Sequence, residues 1–136
     1  MPFVSIEFPF PQTKTPLGLF LTPVIPIGVF TLRGLVTFDF LLDSGADFTL
    51  LPRHVADLVG VDLKQLSPTR TFGVEGKGIR VWLSRVTIRI GPETLSVRSF
   101  FSERDDTPFL LGRMDVFSKF KIELDPKRKK IRFTKA

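Results

Sequence analysis

The segment with chemistry in it is short. Leu41-Leu42-Asp43-Ser44-Gly45-Ala46-Asp47 sets a carboxylate at the end of an apolar run and follows it with small residues. Such a carboxylate falls in a tight turn that another backbone can approach closely. Asp-Ser-Gly alone reads as an ordinary turn, because residue usage of roughly 5 to 7% makes it a chance event in a few per cent of chains this long. A second feature changes the weighing: the apolar pair Leu110-Leu111 stands before Gly112, with the glycine-rich run Gly73-Val74-Glu75-Gly76-Lys77-Gly78 in between. Other chemistries lack their parts. The chain has no cysteine and one histidine, so a zinc ligand set would have to be filled by carboxylates, and no metal or other cofactor is expected. A serine triad would have to use His54, but no Gly-x-Ser-x-Gly elbow exists, and the glycines at 73 to 78 join two strands instead of opening a phosphate-binding helix.

The elements that must position Asp43 read as strands. Val4, Ile6, Phe8 and Phe10 alternate with Ser5, Glu7 and Pro9, the period of a half-buried strand over residues 3 to 10, with Pro9 favouring an edge. Residues 11 to 21 read as a connection. Val24 to Thr31, a turn near Arg33-Gly34, and Leu35 to Leu42 form a hairpin whose second arm delivers Asp43. Pro52 opens a short helix through about Val59, with Gly60 as its stop. His54 on that helix reads as a surface or boundary residue. Two strands, about 70 to 74 and 79 to 90, flank the glycine-rich run, and Trp82 just beyond it reads as core. Gly91-Pro92-Glu93 turns into a strand from Leu95 to Phe101. After a polar loop, Phe109 to Gly112 lead into a predicted helix over 113 to 119. A closing hairpin, Phe120 to Leu124 and Lys130 to Thr134, turns at Asp125-Pro126-Lys127-Arg128.

These paired motifs resemble the retropepsins, the aspartic peptidases that include the retroviral proteases and their cellular relatives. Leu41-Leu42-Asp43-Ser44-Gly45-Ala46 matches the first signature, and Asp47 extends the match to the retroviral form. Leu110-Leu111-Gly112-Arg113 and the segment to Phe117 match the second, and residues 72 to 78 resemble the flap hairpin. The resemblance covers residues 24 to 134 and implies an all-β, closed fold with one or two short helices, active as a twofold homodimer, because each copy carries one catalytic Asp. It implies Asp43 as the catalytic residue, with Ser44 interlocking across the axis and Gly45, Gly112 and Arg113 supporting the site. Gly45, Ala46 and Asp47, with Gly73, Val74, Glu75 and Gly76 of the flap, would bind substrate. Arg113 is implied as the partner of Asp47. Two carboxylates about 3 Å apart repel by roughly 5 kcal/mol at an effective dielectric of 20, so they share one proton, and one acts as base while the other acts as acid. An extended peptide or protein substrate would lie under the flap, its alternate side chains in apolar pockets.

Composition sets the remaining bounds. The length of 136 residues fits one domain over 1–136, with 1–21 either an N-terminal extension or a strand of the dimer interface. In retroviral relatives both termini build an intersubunit sheet, which makes Val4 to Phe10 and Lys130 to Thr134 candidates for it. The 15 Phe and 11 Pro favour strands and turns over a helical bundle. Residues 119 to 136 hold eight basic residues against Glu123 and Asp125; eight less two equals the whole net charge of +6. The run Lys127-Arg128-Lys129-Lys130 reads as a solvated turn and lacks interleaved aromatics for stacking bases, so no nucleic-acid partner is expected. Residues 15 to 32 carry no charge, but Pro16, Pro23 and Pro26 rule against a spanning helix, and no basic segment precedes them as in a signal peptide, so a cytoplasmic protein without a membrane partner is expected. The rival readings are a non-catalytic binding or assembly module on the retropepsin fold and a small basic nucleic-acid binder, whose affinity would fall steeply with salt. If the paired carboxylates do the work, peptide cleavage follows a bell-shaped pH profile with its optimum on the acid side of neutrality; a rate that climbs steadily to pH 9 contradicts the shared-proton mechanism.

Overall fold

The computed structural model describes residues 5–72 and 78–136. Twelve strands and one α-helix are found among them: β1 (Ser5–Pro9), β2 (Gln12–Thr15), β3 (Gly18–Leu21), β4 (Val24–Thr31), β5 (Gly34–Leu42), β6 (Thr49–Leu51), α1 (Arg53–Val59), β7 (Thr69–Phe72), β8 (Gly78–Ile90), β9 (Glu93–Ser102), β10 (Leu110–Leu111), β11 (Phe120–Asp125) and β12 (Lys130–Lys135). Seven of the strands form a sheet in the order β4-β5-β10-β6-β9-β8-β7, and β4 returns to pair with β8, closing it into a barrel. Closure runs through Gly28 opposite Arg89 and Val29 opposite Ile88. No helix among the described residues is long and apolar enough to cross a membrane.

Period-two patterning explains why these segments curl around one core. In β8, Trp82, Val86, Ile88 and Ile90 are buried, while Arg85, Thr87 and Arg89 face solvent. In β9, Leu95, Val97 and Phe101 point the same way as their partners Ile88, Val86 and Trp82. In β4, Ile25, Ile27 and Val29 are fully buried, and Phe40 of β5 joins them. A strand whose inward residues are all large and apolar has no alternative register, because a one-residue slip would turn the set out to water. Trp82 is in the core, as its position suggests, and the guanidinium groups of Arg53 and Arg80 lie over its ring at 5.8 and 5.6 Å from its centroid.

The second sheet, β1-β12-β11, shares the hydrophobic core with the barrel, and aromatic contacts join its own three strands. Phe133 of β12 meets Phe8 of β1 and Phe120 of β11 edge-on, with centroids 5.6 and 5.5 Å away. The terminal strands thus pair with each other inside one chain, Ser5 opposite Thr134 through Pro9 opposite Lys130. The continuation of the chain past Phe120 as a hairpin is what brings β12 within reach of β1.

Three local readings are corrected. Residues 11 to 21 are a hairpin, not a plain connection: among the described residues β2 and β3 pair only with each other, Thr15 opposite Gly18. Its turn is made by Pro16 and Leu17, with Gly18 at a φ of 125°, and by the Thr15 hydroxyl, which donates to the Gly18 carbonyl. Residues 113 to 119 form consecutive turns instead of a helix. Asp115 adopts a φ of 70°, a left-handed conformation that ends regular helix geometry. Pro52 is the N-cap of α1 rather than its first residue, and Gly60 ends the helix at a φ of 79° as its sequence position implies.

Phe133 joins three strands, so Phe133→Ala is expected to lower the unfolding free energy by about 3–5 kcal/mol, read as a shifted urea midpoint with an unchanged slope.

Candidate active site

The site is assembled where β10 enters between β5 and β6. β10 runs parallel to β5, Leu110 opposite Leu41 and Leu111 opposite Leu42, and antiparallel to β6, with Leu110 opposite Leu50. The backbone of Asp43 is tied to this join: its N–H donates to the Leu111 carbonyl at 3.1 Å. The turn then closes on itself. The Asp43 carbonyl accepts from the Ala46 N–H at 3.2 Å, and the side-chain Oδ1 accepts from the Gly45 N–H at 2.9 Å. A carboxylate that bonds the backbone two residues on is held in one orientation by its own turn. Asp43 is half-buried, and Ser44 and Gly45 beside it are exposed.

Gly112 permits the join. A Cβ added there would lie 2.3 Å from the Phe48 carbonyl carbon and 2.8 Å from the Thr49 nitrogen, so only hydrogen fits between the two backbones. The Gly112 N–H donates to the buried Thr49 hydroxyl at 3.2 Å. The next two residues continue the contact: the Arg113 and Met114 N–H groups donate to the Ala46 and Asp47 carbonyls at 2.9 and 2.8 Å. The Arg113 guanidinium then pairs with the Asp47 carboxylate. Asp43, Ser44, Gly45, Ala46, Asp47, Gly112 and Arg113 are therefore brought into one turn-on-turn arrangement. Gly73, Val74, Glu75 and Gly76 lie outside the described residues. His54 is on α1, its backbone N–H bonded to Asp105 at 2.9 Å, and takes no part.

Sequence reasoning missed a second clamp. Arg98 of β9 grips Asp115 with its backbone N–H at 2.9 Å and its guanidinium at 2.9 and 3.2 Å. The hydrogen bonds from the Arg98 side chain hold the Asp115 carboxyl below its usual range against the opposing effect of desolvation. The same guanidinium lies 5.8 Å from the centroid of Phe48, whose ring meets Phe100 edge-on at 4.9 Å. No spacing rule connects positions 98 and 115; the only signal was an arginine at a strand position with no acid nearby in sequence. Among the described residues no group of three or more His, Cys, Asp or Glu is placed to hold a metal ion.

A family model described as "Aspartyl protease" matches residues 29–114. The fold resembles that of a retropepsin-like aspartic protease from Rickettsia conorii, with a TM-score of 0.64 and 19% identity over 100% of this chain and 98% of that one. It also resembles the EIAV protease complexed with the inhibitor HBY-793, with a TM-score of 0.54 and 22% identity over 68% of this chain and 82% of that one. No curated protein matches the sequence significantly.

The Asp115 clamp carries a signed pH dependence. Because the folded state lowers this carboxyl's pKa, its contribution is present above the unfolded-state value and is lost as pH falls through the folded one. Asp115→Asn, which tolerates the left-handed backbone, is expected to cost about 1–2 kcal/mol at pH 7. The gap from wild type should close as denaturation is repeated at falling acid pH.

Proposed function

Since the chain belongs to the aspartyl protease family, we propose that it is an aspartic endopeptidase whose catalytic unit is a homodimer with one Asp43 from each copy. The observation that carries the proposal is the paired-turn geometry: Asp43 is tied by its backbone to Leu111 and oriented by the Gly45 N–H. One chain supplies one such carboxylate, and the mechanism needs a base to deprotonate water and an acid to protonate the leaving nitrogen. Two open cavities, one of about 430 Å³ beside Pro9 and Pro26 and one of about 270 Å³ beside Arg70 and Arg80, do not include Asp43.

In this reading one Asp43 carboxylate takes a proton from the attacking water while the other, protonated, hydrogen-bonds the scissile carbonyl oxygen. The second then gives its proton to the amine as the C–N bond breaks, leaving an acid and an amine. Ser44, exposed beside Asp43, supplies a hydroxyl that can bridge to its counterpart. Gly45, Ala46 and Asp47 line the floor against which an extended peptide backbone is held. Arg113 keeps Asp47 in place from beneath and touches no reacting atom. Residues 73 to 76, on the connection between β7 and β8, would cover the substrate. A non-catalytic module on the same fold would not need the Asp43 carboxylate oriented by its own turn.

Asp43→Asn, purified identically, is expected to lose at least about 100-fold in cleavage rate on a mixed peptide library read by mass spectrometry. Equal cleavage by both proteins, or by neither while both remain folded dimers, would remove the peptidase reading.

A further inference from the structure

The β2–β3 hairpin is an arm anchored at its base, where Leu21 packs against the core. Among the described residues its strands hydrogen-bond only each other, and it carries Leu17, Leu19 and Phe20 at 88, 65 and 50% exposure. A lone two-stranded hairpin is marginal in water and gains stability only by packing on something else. Three large apolar side chains on so small an element mark a contact surface.

Its root says what that contact is. The Thr22 N–H donates to the Pro11 carbonyl at 2.8 Å, and the Thr13 and Thr22 hydroxyls share a hydrogen bond of 2.6 Å, closing the base of the arm. The next residue, Pro23, accepts from the N–H of Leu42 at 2.8 Å. Leu42 is bonded to Asp43, so the root of the arm lies within about 10 Å of the carboxylate, given 3.8 Å between successive Cα atoms. In the dimer proposed above the twofold axis passes between the two Asp43 side chains, which puts the root beside that axis. Four residues per strand give the arm a reach of about 14 Å, enough to cross to the other copy.

Other edges are guarded. β1 carries Glu7 and Pro9, and β11 carries Lys121, Glu123 and Asp125, the charges and proline with which free strands resist pairing. The terminal strands are already paired within the chain. The arm has Lys14 alone among its charges. At its base opens the cavity of about 430 Å³ lined by Pro9, Pro11, Thr13, Thr22, Val24, Pro26 and Asp39, a recess whose wall is mainly proline and valine with two hydroxyls and one carboxylate.

Resting on the dyad reading, we infer that the 12–21 hairpin is a dimerisation arm. Each copy lays its Leu17-Leu19-Phe20 tip on the other, in the proline-lined recess at the base of the other arm, and so holds the two Asp43 residues together. This contact obeys twofold symmetry, since arm and recess belong to both copies.

The test compares wild type, Asp43→Asn and the triple variant Leu17→Ser, Leu19→Ser, Phe20→Ser by sedimentation equilibrium and by cleavage rate against enzyme concentration. The first two are expected to dimerise alike. The triple variant should show a dimer dissociation constant raised at least about tenfold, with wild-type kcat regained at high enzyme concentration. An unchanged dimer constant overturns the arm and leaves the dyad standing, as does a raised KM with unchanged dimerisation, which would make the hairpin a substrate contact. A wild type that stays fully active as a dilute monomer overturns the dyad itself. Because the chain has no cysteine, a Leu17→Cys variant can carry one photo-crosslinker and be mixed with isotope-labelled copies. Cross-links from position 17 to the recess of the other copy support the arm; cross-links confined to one chain overturn it.

Discussion

Two backbones meet at Gly112 with room for one hydrogen atom, and the rest of the site is arranged around that approach. The peptide of Gly112 lies against Phe48 and Thr49 so closely that any side chain would overlap them. The contact lets β10 slide between β5 and β6, and from that position the Leu111 carbonyl takes up the Asp43 N–H. Two chain segments far apart in sequence are thereby fixed to within hydrogen-bond precision. The proposed dyad would need that precision, since proton transfer works only within hydrogen-bond reach.

Electrostatics finishes what the backbone begins. Arg113 with Asp47 and Arg98 with Asp115 pin the first turn of the segment following Gly112. They differ in setting. The Arg113–Asp47 pair is largely exposed, at 53 and 66% of the side chains, so its value lies in geometry more than in energy. Asp115 is mostly sheltered, at 19%, and it accepts a backbone N–H as well as the guanidinium. Arg98 also stands directly opposite Arg85 across the β8–β9 ladder, a like-charge pair that the Asp115 carboxylate offsets.

Much of this was legible in the residues. Alternation placed β4, β5, β8 and β9, because each has one face of large apolar side chains and no competing period. The two signatures located the turn that carries Asp43 and the strand that meets it. What the sequence hid was decided by contacts between distant segments. The run 113–119 has a helical look, but the bond from Arg98 to Asp115 fixes a left-handed residue inside it. The 12–21 hairpin lacks the apolar alternation that reports a core: β2 is Gln-Thr-Lys-Thr and β3 an unbroken Gly-Leu-Phe-Leu, of which Leu21 packs on the core. The terminal strands resemble an intersubunit sheet in sequence, but the longer closing hairpin gives them partners at home.

The pairing of β10 with β5 has a temporal side. Leu41 and Leu42 cannot meet Leu110 and Leu111 until the whole barrel wall between them has been laid down, and contacts of such separation in sequence form slowly because the loop must be closed before they repay its entropy. The first half of the chain can fold its β4–β5 hairpin early, with Asp43 present but without the strand that tethers its backbone. In the reading proposed above, a growing or partly unfolded chain would carry the Asp43 carboxylate without the strand that fixes its backbone, so any cleavage would wait on completion of the fold.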